Sequence, residues 1–216
     1  MTDQATFDLG SIRPGTHVCF IYDSADQRLD ALGRIMAGVL RGGGSTTYFA
    51  CDSDLDVIRD HLGQRGVPLD LLAEPTFAVK SAREVYTPGG RFDRDRMLQQ
   101  LRDAYARGRA EVDGTVFFTG EMEWAAEPGL PGREHLVAYE QAVNTVIRTH
   151  PFSAICQYDA AAFDGELLFE IVKAHPLMLV RNQILANPYY VGPPEAANSD
   201  DACPCGETHG LDHAHA

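Results

Sequence analysis

The stretch 154-AICQYDAA-161 sets a thiol, an amide, a phenol and a carboxylate side by side, as Cys156, Gln157, Tyr158 and Asp159. Such groups can build a nucleophile with its acid and base, or the polar wall of a ligand pocket. The run before them is short and apolar, as in a strand. Strand alternation sends Cys156 and Tyr158 to one face, and Gln157 and Asp159 to the other. That argues against one compact catalytic site and leaves Cys156 with Tyr158 as the pair to expect beside a pocket. Cys19, Cys51 and Cys156 each lie in or beside an apolar run, where a cysteine is by default a small hydrophobe.

Other strand ends carry similar groups. The run 17-HVCFIY-22 opens with His17 and Cys19 and closes on Tyr22, followed by Asp23, while 120-GEMEW-124 supplies Glu121, Glu123 and Trp124. In a parallel sheet Tyr22, Glu121, Glu123, Trp124, Tyr158 and Asp159 gather on the carboxyl rim, where such sheets bind ligands. Their supply of rings would suit a small, partly apolar or aromatic molecule. Each also has a plain structural role: Tyr and Trp cap cores, and carboxylates cap helices. His175 before Pro176 reads as a helix end, Asn187 before Pro188 as a turn, and Tyr190 as a lid on the core. The tail 203-CPCGETHGLDHAHA-216 holds the zinc-type donors Cys203, Cys205, His209, His213 and His215 in a spacing that matches no standard finger. Accessory binding of Zn2+ or another divalent metal and an unstructured tail with incidental affinity both fit it.

Several chemistries lack their motif. The junction 22-YDSADQRLD-30 has no glycine and no Gly-Lys-Ser/Thr, so a phosphate loop is missing. The run 42-GGGS-45 lies before a strand and serves as a helix stop. No GxSxG, HExxH or CxxC occurs. The expectation is a protein that is not an enzyme.

The elements that must position these residues alternate. Strands are expected at 17–22, 46–51, 76–80, 115–120, 153–158 and near 178–185. Helices are expected over 24–40, from 52 or 53 to 62, and over 93–107, 134–148 and 165–174, each with apolar residues at three- and four-residue spacing. Ser24 and Gln27 form a capping-box signature. Six strands alternating with five helices predict an α/β fold with three layers: a mostly parallel central sheet with helices on both faces. Residues 10–193 form the folded domain in this reading, and 194–216 a flexible acidic tail rich in Cys and His.

With 31 acidic and 18 basic residues the net charge is −13, which argues against direct nucleic-acid contact. No apolar run approaches a membrane span, and the first residues do not resemble a signal peptide. The odd count of 5 cysteines fits reduced thiols and a cytoplasmic setting.

The pieces 17-HVCFIYDS-24, 48-YFACDS-53, 84-EVYTPGGRFD-93, 120-GEMEWA-125, 139-YE-140, 155-ICQYDAAAF-163, 175-HP-176 and 187-NPYY-190 stand in an order that resembles the MEDS family. This is the sensory domain named after methanogens, methylotrophs and the repressor DcmR. The resemblance covers about residues 10 to 191 and implies a RecA/KaiC-like core without the phosphate loop. It also implies a sensory role. Family members occur fused to DNA-binding modules, histidine kinases and anti-sigma-type kinase domains, and some are thought to sense small hydrocarbon-like or halogenated compounds. No stretch of this sequence reads as such an effector, so the expectation is a sensor that binds a small molecule at the rim. It would signal in trans, through a regulatory protein partner or a homo-oligomer. Two alternatives stay open: a ligand-free interaction scaffold in a sigma-factor or two-component switch, and a thiol-dependent enzyme. The Cys/His tail is not part of the family pattern.

Overall fold

The computed structural model describes residues 12–51 and 53–192. The expected boundaries at 10 and 193, and the tail donors Cys203, Cys205, His209, His213 and His215, lie outside the described residues.

Seven strands form one sheet: β1 (His17–Tyr22), β2 (Ser45–Ala50), β3 (Phe77–Ser81), β4 (Val116–Glu121), β5 (Ser153–Asp159), β6 (Leu177–Val180) and β7 (Gln183–Ala186). Their order is β3-β2-β4-β5-β1-β6-β7, parallel throughout except for the β6–β7 pair. The helices are α1 (Ala25–Arg41), α2 (Leu55–Gln64), α3 (Ala82–Tyr86), α4 (Arg94–Glu111), α5 (Leu136–Thr149) and α6 (Gly165–Ala174). Strands buried on both sides explain the nearly continuous apolar runs of the sequence.

Two cores result. Val18, Phe20, Tyr48, Phe117 and Ile155 pack under α1 and α2. Cys19, Phe49, Phe118, Cys156 and Tyr158 face α4, α5 and α6. Crossovers that move one way along the sheet put α1 and α2 on one face; those that move back put α4 to α6 on the other, as right-handed connections require. The arrangement is the expected three-layer α/β fold.

Local chemistry sets the helix starts. Ser24 Oγ accepts from the Gln27 N–H at 3.3 Å, and the Gln27 side chain accepts from the Asp23 N–H. Asp93 and Asp164 cap α4 and α6 in the same manner. Two expectations are corrected. The last run is a hairpin rather than one strand, because Arg181 and Asn182 take positive φ (47° and 62°) and turn the chain back. The segment read as a loop after β3 contains α3, started by Ser81, whose hydroxyl accepts from the Glu84 N–H. No helix among the described residues is long and apolar enough to cross a membrane.

Candidate functional site

Strand alternation divides the candidate residues between the two faces. On the α5 side lies a buried cluster around Glu140. This residue sits on the apolar stripe of α5 with Leu136, Val143 and Ile147, a position that faces the sheet. Its Oε1 accepts from the Tyr158 hydroxyl at 2.7 Å. Its Oε2 lies 3.3 Å from His17 Nε2, 3.4 Å from His175 Nε2 and 3.4 Å from Cys156 Sγ. Cys156 Sγ is 3.6 Å from His17 Nε2, and the two imidazole rings lie 4.2 Å apart. All of these groups are buried.

Burial opposes the Glu140 charge, but hydrogen bonds and charge from His17 and His175 outweigh it and hold the carboxyl well below the usual range. Burial and the neighbouring His175 push His17 down, against the pull of Glu140 and Asn144. Burial, reinforced by Glu140, raises the thiols of Cys19 and Cys156 well above normal. A thiol held in that state is a poor nucleophile, which weighs against Cys156 as a thiolate catalyst.

The second cluster lies at the carboxyl ends of β1, β2 and β4. Glu121 is buried, accepts from the Tyr48 hydroxyl and the Cys51 N–H, both at 2.7 Å, and pairs with Arg28 at 3.1 Å. Ser53 also donates to Glu121, and Tyr22 donates to Glu123. Arg28 comes from the first turn of α1 and donates to Ser53 Oγ at 2.7 Å and Tyr22 Oη at 3.3 Å. Burial raises the Glu123 carboxyl, with the Tyr22 hydrogen bond working against it. In a nucleotide-binding sheet the first strand–helix junction offers backbone N–H groups to phosphate. Here the Asp23 and Gln27 N–H groups are taken by the side chains of Gln27 and Ser24, and the buried Glu121 with Arg28 lies at the strand ends.

A groove of about 500 Å³ is also present, and none of the residues of either cluster lines it. It lies between the segment after β4 and the start of α6, and Leu130, Pro131, Leu136, Val137 and Leu167 line it with Arg133 and Glu134 at its margin. That size and lining suit a small, mostly apolar molecule.

The predicted residues therefore separate. Tyr22, Glu121 and Glu123 meet at the rim. His17, Cys156, Tyr158 and His175 meet beneath the sheet, with Cys19 in the same core. Trp124 is stacked on Tyr86, with ring centroids 5.0 Å apart, and packs on Phe92. Asp159 closes its own turn by accepting from the Ala161 N–H. Asn187 donates to the carbonyls of Val172 and His175, both at 2.7 Å, and thereby holds the end of α6. The Tyr190 N–H meets the Asn187 carbonyl at 3.3 Å, in a turn.

Sequence reasoning missed Glu140, Asn144 and Arg28 as site residues. The signal for Glu140 was present: a carboxylate on the buried stripe of an amphipathic helix needs a partner. Asn144, one turn on, carries the same signal. Arg28 had none, since a charged residue in a first helical turn is ordinary.

The comparisons with known proteins agree with the fold. The family model described as MEDS, MEthanogen/methylotroph, DcmR Sensory domain, matches residues 16–176. The transcriptional repressor DcmR of Methylorubrum extorquens is 25% identical over 99 residues, which are 45% of this chain and 37% of the repressor. The chain thus spans little more than a third of that relative. Among solved structures, the flagellar accessory protein FlaH of Methanocaldococcus jannaschii superposes with a TM-score of 0.55 at 14% identity, over 79% of this chain and 73% of FlaH. A KaiC-like protein of Pyrococcus horikoshii gives 0.54 at 13% identity, over 77% and 71%. These two likenesses carry the fold alone.

Proposed function

Because the chain belongs to the MEDS family of sensory domains, we propose that it is a regulatory sensor for a small, partly apolar organic molecule taken in the groove between the segment after β4 and the start of α6. It passes the signal to a protein partner and does not turn over nucleotide. The observation that carries the reading is the contrast between rim and groove. At the strand ends a buried Arg28–Glu121 pair stands beside a first strand–helix junction that has no phosphate loop, which supports a reading without nucleotide. The groove, walled by Leu130, Leu136, Val137 and Leu167, is open.

Two helices connect that groove to the rest of the molecule. Leu136 opens α5 one turn before Glu140, and Leu167 lies in the first turn of α6, which His175 caps at its other end. A ligand that separates these helix starts would favour one of two packings, as any sensor must. The outer face of α6 offers a place for a partner: Phe169, Tyr189 and Val191 are exposed, and the Phe169 and Tyr189 rings are in contact. The DcmR relative is a transcriptional repressor by name. Regulation of transcription is therefore the setting we propose, reached through the partner because the net charge of −13 opposes direct contact with DNA.

Thermal-shift measurement against short-chain alcohols, haloalkanes and small aromatics tests the proposal. A ligand at a hundred times its Kd adds about 2.7 kcal/mol, a rise of about 5–10 °C for a domain of this size. Val137→Trp, which fills the groove, is expected to abolish the rise. No stabilising compound, or a rise that survives Val137→Trp, would overturn it.

A further inference from the structure

Glu140 and the three groups around its Oε2 have the arrangement of a ligand set. We propose that His17 Nε2, His175 Nε2, Cys156 Sγ and the Glu140 carboxylate form a closed, buried tetrahedral centre for a divalent transition metal, zinc by preference. This does not rest on the sensory reading.

Distances support it first. Bonds of about 2.0–2.3 Å from a tetrahedral zinc put its donors about 3.3–3.7 Å apart. The separations here are 3.3 Å (His17 to Glu140), 3.4 Å (His175 to Glu140), 3.4 Å (Cys156 to Glu140) and 3.6 Å (Cys156 to His17). All four donor atoms lie within 4.8 Å of one another.

The tautomers support it independently. His175 Nδ1 lies 2.8 Å from the Ile171 carbonyl, which can only accept, so Nδ1 carries the proton. His17 Nδ1 lies 2.9 Å from Asn144 Oδ1. The Asn144 amide cannot be flipped, because its Nδ2 donates to the carbonyls of Glu140 and Ala174. His17 Nδ1 therefore also carries a proton. With Nδ1 engaged on both rings, it is Nε2 of each that faces the Glu140 carboxylate, which leaves both Nε2 atoms and the carboxylate turned toward one point where a cation fits. His175 Nε2 is buried and has the Glu140 carboxylate 3.4 Å away as its polar neighbour. Fixing each ligating histidine through its other nitrogen is what outer-shell groups do in metal sites, and Ile171 and Asn144 do it here.

The chemistry balances. Zn2+ displaces the Cys156 proton to solvent, so the metal's two charges are met by one thiolate and one carboxylate. The donors come from β1, β5, α5 and the end of α6, so the metal would tie four elements together. A closed set of four protein ligands leaves no position for substrate, which marks a structural centre.

The test uses the full chain, purified without chelator, with metal content measured by mass spectrometry. One zinc per chain is expected. Exchange with cobalt is expected to give a thiolate-to-cobalt charge-transfer band and the visible bands of a tetrahedral ion. Both are to vanish in Cys156→Ser and in the isosteric Glu140→Gln, and to persist when Cys203 and Cys205 of the tail are replaced by serine. Asn144→Ala, in a positioning residue, is expected to weaken metal binding about 10–100-fold while keeping the cobalt spectrum. The cobalt spectrum of the unaltered chain keeps the proposal open to refutation even if a variant misfolds. No bound metal with no cobalt spectrum overturns it, as does binding that survives Cys156→Ser or is lost with the tail cysteines.

Discussion

Glu121 is a carboxylate buried at the end of a strand, and Arg28 is the cation set against it. Removing one member of such a pair leaves an uncompensated charge, at a cost of about 3–5 kcal/mol. Arg28→Met is expected to destabilise the protein toward the lower end of that range, since Tyr48, Ser53 and the Cys51 N–H still serve the carboxylate. Arg28→Met with Glu121→Gln is expected to cost less than Arg28→Met alone; urea unfolding of both variants settles the order. Asn187 is expected to matter through backbone carbonyls it satisfies rather than through a ligand. Asn187→Ala strips the carbonyls of Val172 and His175 of a donor, and a loss of about 1–3 kcal/mol should appear in the same unfolding curves. At this scale the sequence was half legible. Alternation alone put Cys156 and Tyr158 on one face, and the structure has them there with Gln157 opposite, bonded to Tyr48 and Thr119. Which residue of a distant helix meets them depends on helix docking, so Glu140 stayed hidden although its position on an apolar stripe was anomalous.

Among the elements, the β6–β7 hairpin shows what periodicity conceals. The run 178-MLVRNQIL-185 reads as one strand because the apolar residues on both sides of the turn follow in sequence. Only the pair Arg181-Asn182 marks the reversal, and arginine is an uncommon choice for a left-handed position. Arg181→Gly removes the Cβ strain at φ 47° and is expected to raise stability by up to about 1 kcal/mol, visible as a higher melting temperature. A fall would show that the arginine side chain has a role that outweighs the strain. The long helices were predicted within a few residues because their apolar stripes and caps agree. The five-residue α3 was not, being too short for periodicity to register.

On the scale of the molecule, the three-layer α/β layout was legible from the alternation of strands and helices, whereas its RecA/KaiC-like kind came from the family resemblance; the strand order was not legible, because order depends on which edges pair in space. A rim without a phosphate loop has a direct consequence for nucleotides. ATP with magnesium is expected neither to shift the melting temperature nor to be hydrolysed; nucleotide-dependent stabilisation that Arg28→Met abolishes would contradict this. The strand order also bears on how the chain is made. β1 leaves the ribosome well before its sheet partners β5 and β6, whose residues begin at 153 and 177. At roughly 5–20 residues per second, about 7–30 s pass before β5 has been synthesised. Throughout that interval 17-HVCFIY-22 is an apolar segment with two unpaired edges, the kind of sequence that chaperones hold and that otherwise aggregates. Nascent chains arrested before residue 153 should therefore be cut by protease within 17–22, and chains arrested well beyond residue 186 should resist. The placement that gives β1 a partner on each edge in the finished sheet leaves both edges bare until β5 and β6 have been made.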